Sequence, residues 1–395
     1  MSRRLPYGRQ SIDESDIAAV TAVLRGDWLT GGPAVASFET AFAGITGAAH
    51  AVACCNGTAA LHLSALALGL GPGDHVVVPS LTFLATANAA RYVGAEVVFA
   101  DCDPETGLMR PQDLEAALAT SPGPVKAVYP VHLNGQTADM AGIAAIATAR
   151  ELAVVEDACH AVGGVTATGD VVGNCQHSTM AVFSLHPVKT ITMGEGGVVT
   201  TNDPVLARRV ARLRNHGMTR DPADFTMADQ AWDPAGAANP WYYEMPEPGF
   251  NYRACDLQCA LGLSQLQRID RFIARRRELV TLYDRLLAPL APVIRPAGRT
   301  GGRPGWHLYA ILMDFPALGT DRATLMRRLD AEGIGTQVHY LPVHRQSYYR
   351  QRYGMANLPG ADRYYARCLS LPLFPDMADE DAERVAHALT RIVRG

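Results

Sequence analysis

Lysine is almost missing from this chain. Of its 35 basic residues only Lys126 and Lys189 are lysines; the other 33 are arginine. Where arginine serves for solvated positive charge, each remaining lysine calls for a chemical reason. A basic excess is missing too: 39 acidic residues leave a net charge of −4. Nothing is left over to neutralise a phosphate backbone, which argues against nucleic-acid binding. No run approaches the roughly 18 apolar residues of a membrane span, and the stretch before Asp16 lacks the apolar centre of a secretory signal. Cysteine occurs eight times but never as CxxC. That scatter excludes a disulfide scaffold and reads as reduced, mostly buried thiols in a cytoplasmic protein. Cys255 and Cys259, one helical turn apart, could form half a metal site. With no His or Cys partner at zinc spacing nearby, core packing is the better reading, and no metal is expected.

What is present is an ordinary globular composition, 48% hydrophobic and 19% charged, at a length that suggests two or three domains. Ser11 and Glu14 have capping-box spacing and open a first helix predicted to run to about Leu24. Asn56-Gly57-Thr58 precede a helical stretch over 59–68. Short β-branched runs follow at 75–78, 96–100, 125–131, 153–156, 180–184 and 198–201, with helical patterns over 84–92, 111–119 and 140–150. Strands alternating with helices in this way predict a mostly parallel, doubly wound sheet covered on both faces. Residues 221–250 read as a long irregular loop, with Trp241-Tyr242-Tyr243 as an ordered contact surface. Beyond it, a long helix over 256–287, a strand at 307–313, a helix from Asp321, a strand at 336–340 and a helix from Asp379 predict a smaller α+β unit. The expected division is a large domain, 1–253, and a C-terminal domain, 254–395.

Residues 183–197, reading FSLHPVKTITMGEGG, are the most informative in the chain. Lys189 lies there between an apolar strand end and a Gly-rich turn. Partial burial would lower its pKa and free the amine to form a Schiff base. Lys126 opens a strand run and reads as a solvated strand end. Asp157 closes another strand, Val154-Val155-Glu156-Asp157, where the crevice of a parallel sheet binds ligands. Taken alone it is as often a helix cap. Set 32 residues before Lys189, it completes a pair suited to pyridoxal phosphate, whose protonated ring nitrogen needs an acidic partner. Gly57 and Thr58 open a helix and can cradle a phosphate, although N-G-T is also a plain turn. Phe83 can stack on a flat ring or fill the core, and Ser184 can add a hydroxyl to the phosphate. His160 either packs against the ring or is a satisfied core histidine.

With these pieces in order, the chain resembles the DegT/DnrJ/EryC1/StrS family of pyridoxal-phosphate sugar aminotransferases, from Pro6-Tyr7-Gly8-Arg9-Gln10 to the last helix. The resemblance implies the aspartate aminotransferase (type I) fold: a three-layer α/β/α large domain plus the smaller α+β domain. It implies that Lys189 binds the cofactor covalently, Asp157 meets its ring nitrogen, Phe83 stacks on it, and Gly57, Thr58 and Ser184 hold its phosphate. The G-x-N-Y-R motif, here Gly249-Phe250-Asn251-Tyr252-Arg253, implies a further phosphate contact by Asn251 from a neighbouring subunit, hence a homodimer with shared sites. Substrate contacts are expected from Tyr7, His186, His216, Arg220, Tyr242, Arg253 and His339, in a cleft bordered by the loop at 216–245 and the turn at 339–344, with Arg220 a partner for the diphosphate.

His-Pro-Val-Lys at 186–189, RNHGMTR at 214–220 and PWYYEM at 240–245 are similar to the family branch of the pseudaminic acid pathway. That branch uses L-glutamate, releases 2-oxoglutarate, and aminates a UDP-linked keto sugar to UDP-4-amino-4,6-dideoxy-N-acetyl-β-L-altrosamine. Two residues depart from the family pattern: Cys159 stands where Ala is usual and Leu185 where an aromatic is usual. Another 3- or 4-keto nucleotide sugar is the alternative substrate. A cofactor-dependent sugar dehydratase is a second alternative, but such relatives replace the lysine with His. A non-catalytic sugar-nucleotide-binding protein would have lost cofactor residues. A desulfurase would need a reactive thiolate, and nothing basic flanks Cys159 or Cys255.

Overall fold

The computed structural model describes residues 4–394. The chain begins with α1 (Glu14–Leu24), α2 (Pro33–Thr46), β1 (His50–Cys54), α3 (Gly57–Ala67), β2 (His75–Pro79), α4 (Leu84–Tyr92) and β3 (Glu96–Ala100). It continues through α5 (Pro111–Thr120), β4 (Val125–Val128), α6 (Met140–Ala149), β5 (Ala153–Asp157), β6 (Met180–Ser184), β7 (Gly197–Thr201), α7 (Pro204–Leu213) and the single turn α8 (Ala228–Ala231). The C-terminal part holds α9 (Asp256–Leu266), α10 (Ile269–Leu287), β8 (Ile294–Pro296), β9 (Tyr309–Met313), α11 (Arg322–Ala331), α12 (Ser347–Tyr353), α13 (Pro359–Arg367), β10 (Cys368–Leu371) and α14 (Asp379–Arg394).

Seven strands form one sheet in the order β1-β7-β6-β5-β4-β2-β3. Pairs from β3 to β6 are parallel, while β7 runs antiparallel to both neighbours, β6 and β1. Alternate side chains serve opposite faces. Val52, Cys54, Val76 and Val78 enter one core with α3, α4 and α7, whereas Ala51, Ala53 and Val77 turn to cores on the other face. The sheet is therefore the middle of the expected three-layer α/β/α sandwich. A smaller antiparallel sheet, β10-β9-β8, packs with α10, α11 and α14 around a separate core containing Tyr283, Ile311 and Leu329.

Several local readings shift. The first helix ends at Leu24 as predicted, but its cap is Asp13, which accepts from the N–H groups of Ser15 and Asp16 while Asp16 accepts back. Ser11 instead donates to Asp376 at 2.7 Å, so the box sits two residues later. The long helix predicted over 256–287 is two helices, interrupted at Gln267-Arg268, where Arg268 pairs with Asp13 and Asp16. The break lets α9 pack on α1 and α2 while α10 enters the second core. The large core thus takes in a helix beyond residue 253. The strand predicted at 336–340 is irregular, with only Gln337 bridging Ser370. Here His339 and Tyr340 are directed to a cavity rather than a ladder. The predicted β-run 125–131 ends at Val128, and β1, α2, α7, β8, α12, α13 and β10 were not among the expected elements. β1 is His-Ala-Val-Ala-Cys, with a single β-branched residue.

All eight cysteines are free, and no helix of the described residues is long and apolar enough to cross a membrane. Lys126 is exposed on β4, as its sequence context indicated. The α2 face is a sensitive point: Phe42 is fully buried and meets Phe183 edge-on at 5.1 Å. Phe42→Ala is expected to cost about 3–5 kcal/mol, and Ser37→Ala, on the exposed side of α2, less than about 0.5 kcal/mol. Urea unfolding of the two variants measures the difference.

Candidate active site

A cavity of about 570 Å³ opens at the C-terminal ends of β2, β5 and β6, where ligands sit in open α/β sheets. The turn around 337–340 closes it from the second unit. That turn is tied down beside β2: Val343 donates its N–H to Ser80 O at 2.8 Å, and His344 Nδ1 meets Ser80 Oγ at 2.5 Å.

One wall is the start of α3. The Asn56 side chain caps the helix by accepting from Ala59 N–H at 2.8 Å. The N–H groups of Gly57 and Thr58 have no acceptor among the described residues, as expected in a first turn. They face the cavity and make a ready cradle for a phosphate. Gly57 is required there, because a Cβ would lie 2.8 Å from Ser184 Cβ. This close approach brings the Ser184 hydroxyl to the same corner.

Opposite lies Asp157, 5% exposed at the end of β5. Thr86 donates to its Oδ2 at 2.7 Å and the Cys159 N–H to its Oδ1 at 3.2 Å. Its main chain is clamped as well: the N–H reaches Pro130 O at 2.8 Å, and His132 N–H reaches its carbonyl at 3.0 Å. The carboxylate is therefore held in one orientation, which suits a partner for a ring nitrogen.

Lys189 follows β6 in a turn in which its N–H donates to His186 O at 2.8 Å. Burial lowers the pKa of its amine, and the neighbouring Cys159 and Asp157 oppose that shift. Burial also drives the Cys159 thiol well above its ordinary value, which leaves no reactive thiolate. Phe83 is 54% exposed at the cavity edge, with its ring 5.9 Å from that of Tyr340. Such a placement fits a ring-covering aromatic better than a core one.

His160 is buried, and its Nε2 lies 2.9 Å from the Tyr340 hydroxyl. His339 contacts Ser370 Oγ through Nδ1 at 2.8 Å; burial and then Lys189 push its pKa down to about 3. Tyr7 packs its ring 5.5 Å from that of His339. His186 stands exposed at the rim.

The expected residues thus separate into two groups. Tyr7, Gly57, Thr58, Phe83, Asp157, His160, Ser184, His186, Lys189 and His339 share the cavity. His216, Arg220, Tyr242, Asn251 and Arg253 do not line it. Tyr242 donates to Glu244 at 3.1 Å, Arg253 to Asn215 at 2.6 Å, and Asn251 bridges Asn215 in backbone pairing. His216 and Arg220 are exposed. Sequence reasoning missed Thr86, which sits one helical turn after Phe83, a spacing that could have flagged it; Tyr340 lies in the turn that was expected to border the substrate, and it lines the cavity.

A lysine amine with a lowered pKa, an oriented buried carboxylate and a helix start cleared of side chains fit pyridoxal phosphate. No group of three or more His, Cys, Asp or Glu among the described residues could hold a metal ion. A model of the DegT/DnrJ/EryC1/StrS aminotransferase family matches residues 10–390. The spore coat polysaccharide biosynthesis protein SpsC of Bacillus subtilis (strain 168) is 41% identical over 394 residues, covering 99% of this chain and 97% of SpsC. Helicobacter pylori PseC, an aminotransferase involved in the biosynthesis of pseudoaminic acid, superposes with a TM-score of 0.88 at 27% identity over 99% and 100% of the two chains. The PLP form of Spr1654 from Streptococcus pneumoniae gives 0.87 at 26% identity over 99% of each chain.

With only two lysines, amine titration is readable residue by residue. In the cofactor-free protein, pH-dependent acetylation of Lys189, followed by peptide mass spectrometry, should reach its midpoint below the ordinary 10.5. Asp157→Asn should lower it further, because removing a nearby negative charge destabilises the ammonium.

Proposed function

The chain belongs to the DegT/DnrJ/EryC1/StrS aminotransferase family, and on that footing we propose that it moves the amino group of L-glutamate onto the C4 ketone of a UDP-linked 4-keto-6-deoxy-N-acetylhexosamine. The products would be 2-oxoglutarate and UDP-4-amino-4,6-dideoxy-N-acetyl-β-L-altrosamine. That the protein is a pyridoxal-phosphate-dependent sugar aminotransferase of the type I fold follows from the family match and from its solved relatives. The choice of sugar rests on the wording of residues 186–189, 214–220 and 240–245, supported by the likeness to PseC. A second reading, another 3- or 4-keto nucleotide sugar, is favoured by the higher identity to SpsC, 41% against 27%.

Pyridoxal phosphate, when bound, supplies an electron sink for the charge left on a substrate carbon that loses its proton. Gly57, Thr58 and Ser184 would hold its phosphate, and Lys189 its reactive end. The Lys189 amine takes the proton from Cα of glutamate, and on the return half-reaction delivers one to C4 of the sugar. Its lowered pKa keeps more of it in the neutral form that can accept a proton. Asp157 holds a proton on the ring nitrogen, kept in aim by Thr86 and the Cys159 N–H. Phe83 covers one face and limits access of water. His339 stays neutral, a donor and acceptor rather than a charge.

We place a second copy of the chain against the 216–253 segment and the pair in the cytoplasm. The Asn251 side chain has no hydrogen-bond partner among the described residues, its backbone pairing with Asn215, and Trp241, Tyr243 and Met245 of the same segment are 74%, 51% and 56% exposed. In the dimer, Asn251 would reach the partner's phosphate cradle, and Arg220, His216, Tyr242 and Arg253 would border the nucleotide.

Lys189→Ala should lose both the yellow colour of the linked cofactor and glutamate-dependent turnover. With wild-type enzyme, glutamate and a panel of 3- and 4-keto nucleotide sugars, mass and NMR analysis should find amination at C4; turnover of 3-keto sugars alone would refute the proposed substrate. Sharing of sites has its own readout. Mixing inactive Lys189→Ala subunits with weakened Asn251→Ala subunits should restore activity, since each hybrid contains one site with neither lesion. Mixtures no more active than their components would exclude sharing through Asn251.

A further inference from the structure

Arg276, in the middle of α10, has a fully buried side chain (0% exposed). No carboxylate among the described residues offsets its charge, and burial alone pushes its pKa down to about 10. Its two Nη groups go to main-chain oxygens instead, while Nε has no partner among the described residues. Nη1 reaches Leu373 O at 2.9 Å and His307 O at 3.1 Å, and Nη2 reaches Lys189 O at 3.5 Å. None of the three oxygens receives a backbone N–H among the described residues. The three belong to separate segments: the turn carrying the lysine, the approach to β9, and the exit from β10.

An unpaired buried cation is costly, and an apolar side chain would avoid that cost. It would also leave two buried carbonyls, and the part-buried one of Lys189, without a donor. A planar fork suits the task, because its donors diverge toward acceptors on different segments. A lysine would concentrate them on one atom at the end of a flexible stem. Filling core volume does not require this group: the neighbouring Phe272, Leu279 and Val280 of α10 do so without charge.

We infer that Arg276 is a positioning residue for the reaction: its guanidinium holds the Lys189 carbonyl, and through it the lysine backbone, in register with the second unit. The inference rests on Lys189 being the group that moves the substrate proton. The amine sits at the end of a long side chain, so a small rotation of its backbone moves it off the line to the reacting carbon. Misplacement on the scale of 1 Å is enough to slow such a step strongly.

The test uses purified holoenzyme of the wild type, Arg276→Lys, Arg276→Gln and Arg276→Met, each checked for fold and cofactor content. Steady-state constants are measured with ordinary and Cα-deuterated glutamate. The expected result for Arg276→Lys is a folded, cofactor-loaded enzyme whose kcat falls on the order of tenfold, with both KM values within about twofold. The isotope effect on kcat should rise, because proton transfer becomes the slow step. A merely structural role would lower the unfolding temperature without moving the isotope effect of the folded enzyme. Unchanged kcat and isotope effect in folded Arg276→Lys or Arg276→Gln overturn the inference. So does failure of all three variants to fold, which would make Arg276 a structural residue only. If Lys189→Ala retains turnover, the underlying reading fails; if it is dead while the Arg276 variants behave as wild type, only the positioning role fails.

Discussion

Burial strips water from the Lys189 amine, while the Asp157 carboxylate draws it back toward the charged form. The site depends on burial prevailing in that contest, since a proton acceptor near neutral pH must spend part of its time neutral. On the proposed reading Asp157 cannot simply be removed to help, because the same carboxylate would be needed for the ring nitrogen. The compromise is geometric. Thr86 and the Cys159 N–H hold the carboxylate in place, so on the proposed reading it would serve the ring while leaving the amine weakly stabilised as a cation.

That contest requires walls, and the walls come from two cores. The parallel strands end together at β2, β5 and β6, which sets Phe83, Asp157 and Ser184 around one opening. The sheet alone would leave the opening to solvent. The second unit closes it with the turn at 337–340, anchored to Ser80 beside β2. The irregular course of that turn shapes the cavity. A strand there would alternate its side chains, whereas His339 and Tyr340 both border the cavity.

Much of the large unit was legible from pattern alone. The strands β2, β3, β5 and β6 and the helices α4, α5 and α6 announce themselves through β-branched runs and Ala-rich periodicity. β1 escaped because His-Ala-Val-Ala-Cys carries little β preference; it is a strand because β7 pairs with it. The apparent single helix over 256–287 shows the opposite failure. Its apolar period continues across Gln267-Arg268, but the ion pairs of Arg268 with Asp13 and Asp16 come from the far end of the sequence. Capping was misplaced for a similar reason: Ser11 has cap chemistry, yet its hydroxyl is used by Asp376.

The candidate site divides in the same way. Sequence by itself determined the chemistry. A lone lysine in a Gly-rich turn, an acidic strand end and an N-G-T helix start are local features whose residue types limit what they can do. Their order along the chain also carried the family resemblance. Only the tertiary structure decided which of the named residues meet. It gathered Tyr7 and His339 from opposite ends of the chain and left the 216–253 residues outside their own cavity. It also revealed Thr86 behind Asp157 and Arg276 behind Lys189. Those two hold other groups in place, and such a role has no local signature: what they bind is set by which distant segments the fold brings within hydrogen-bond reach.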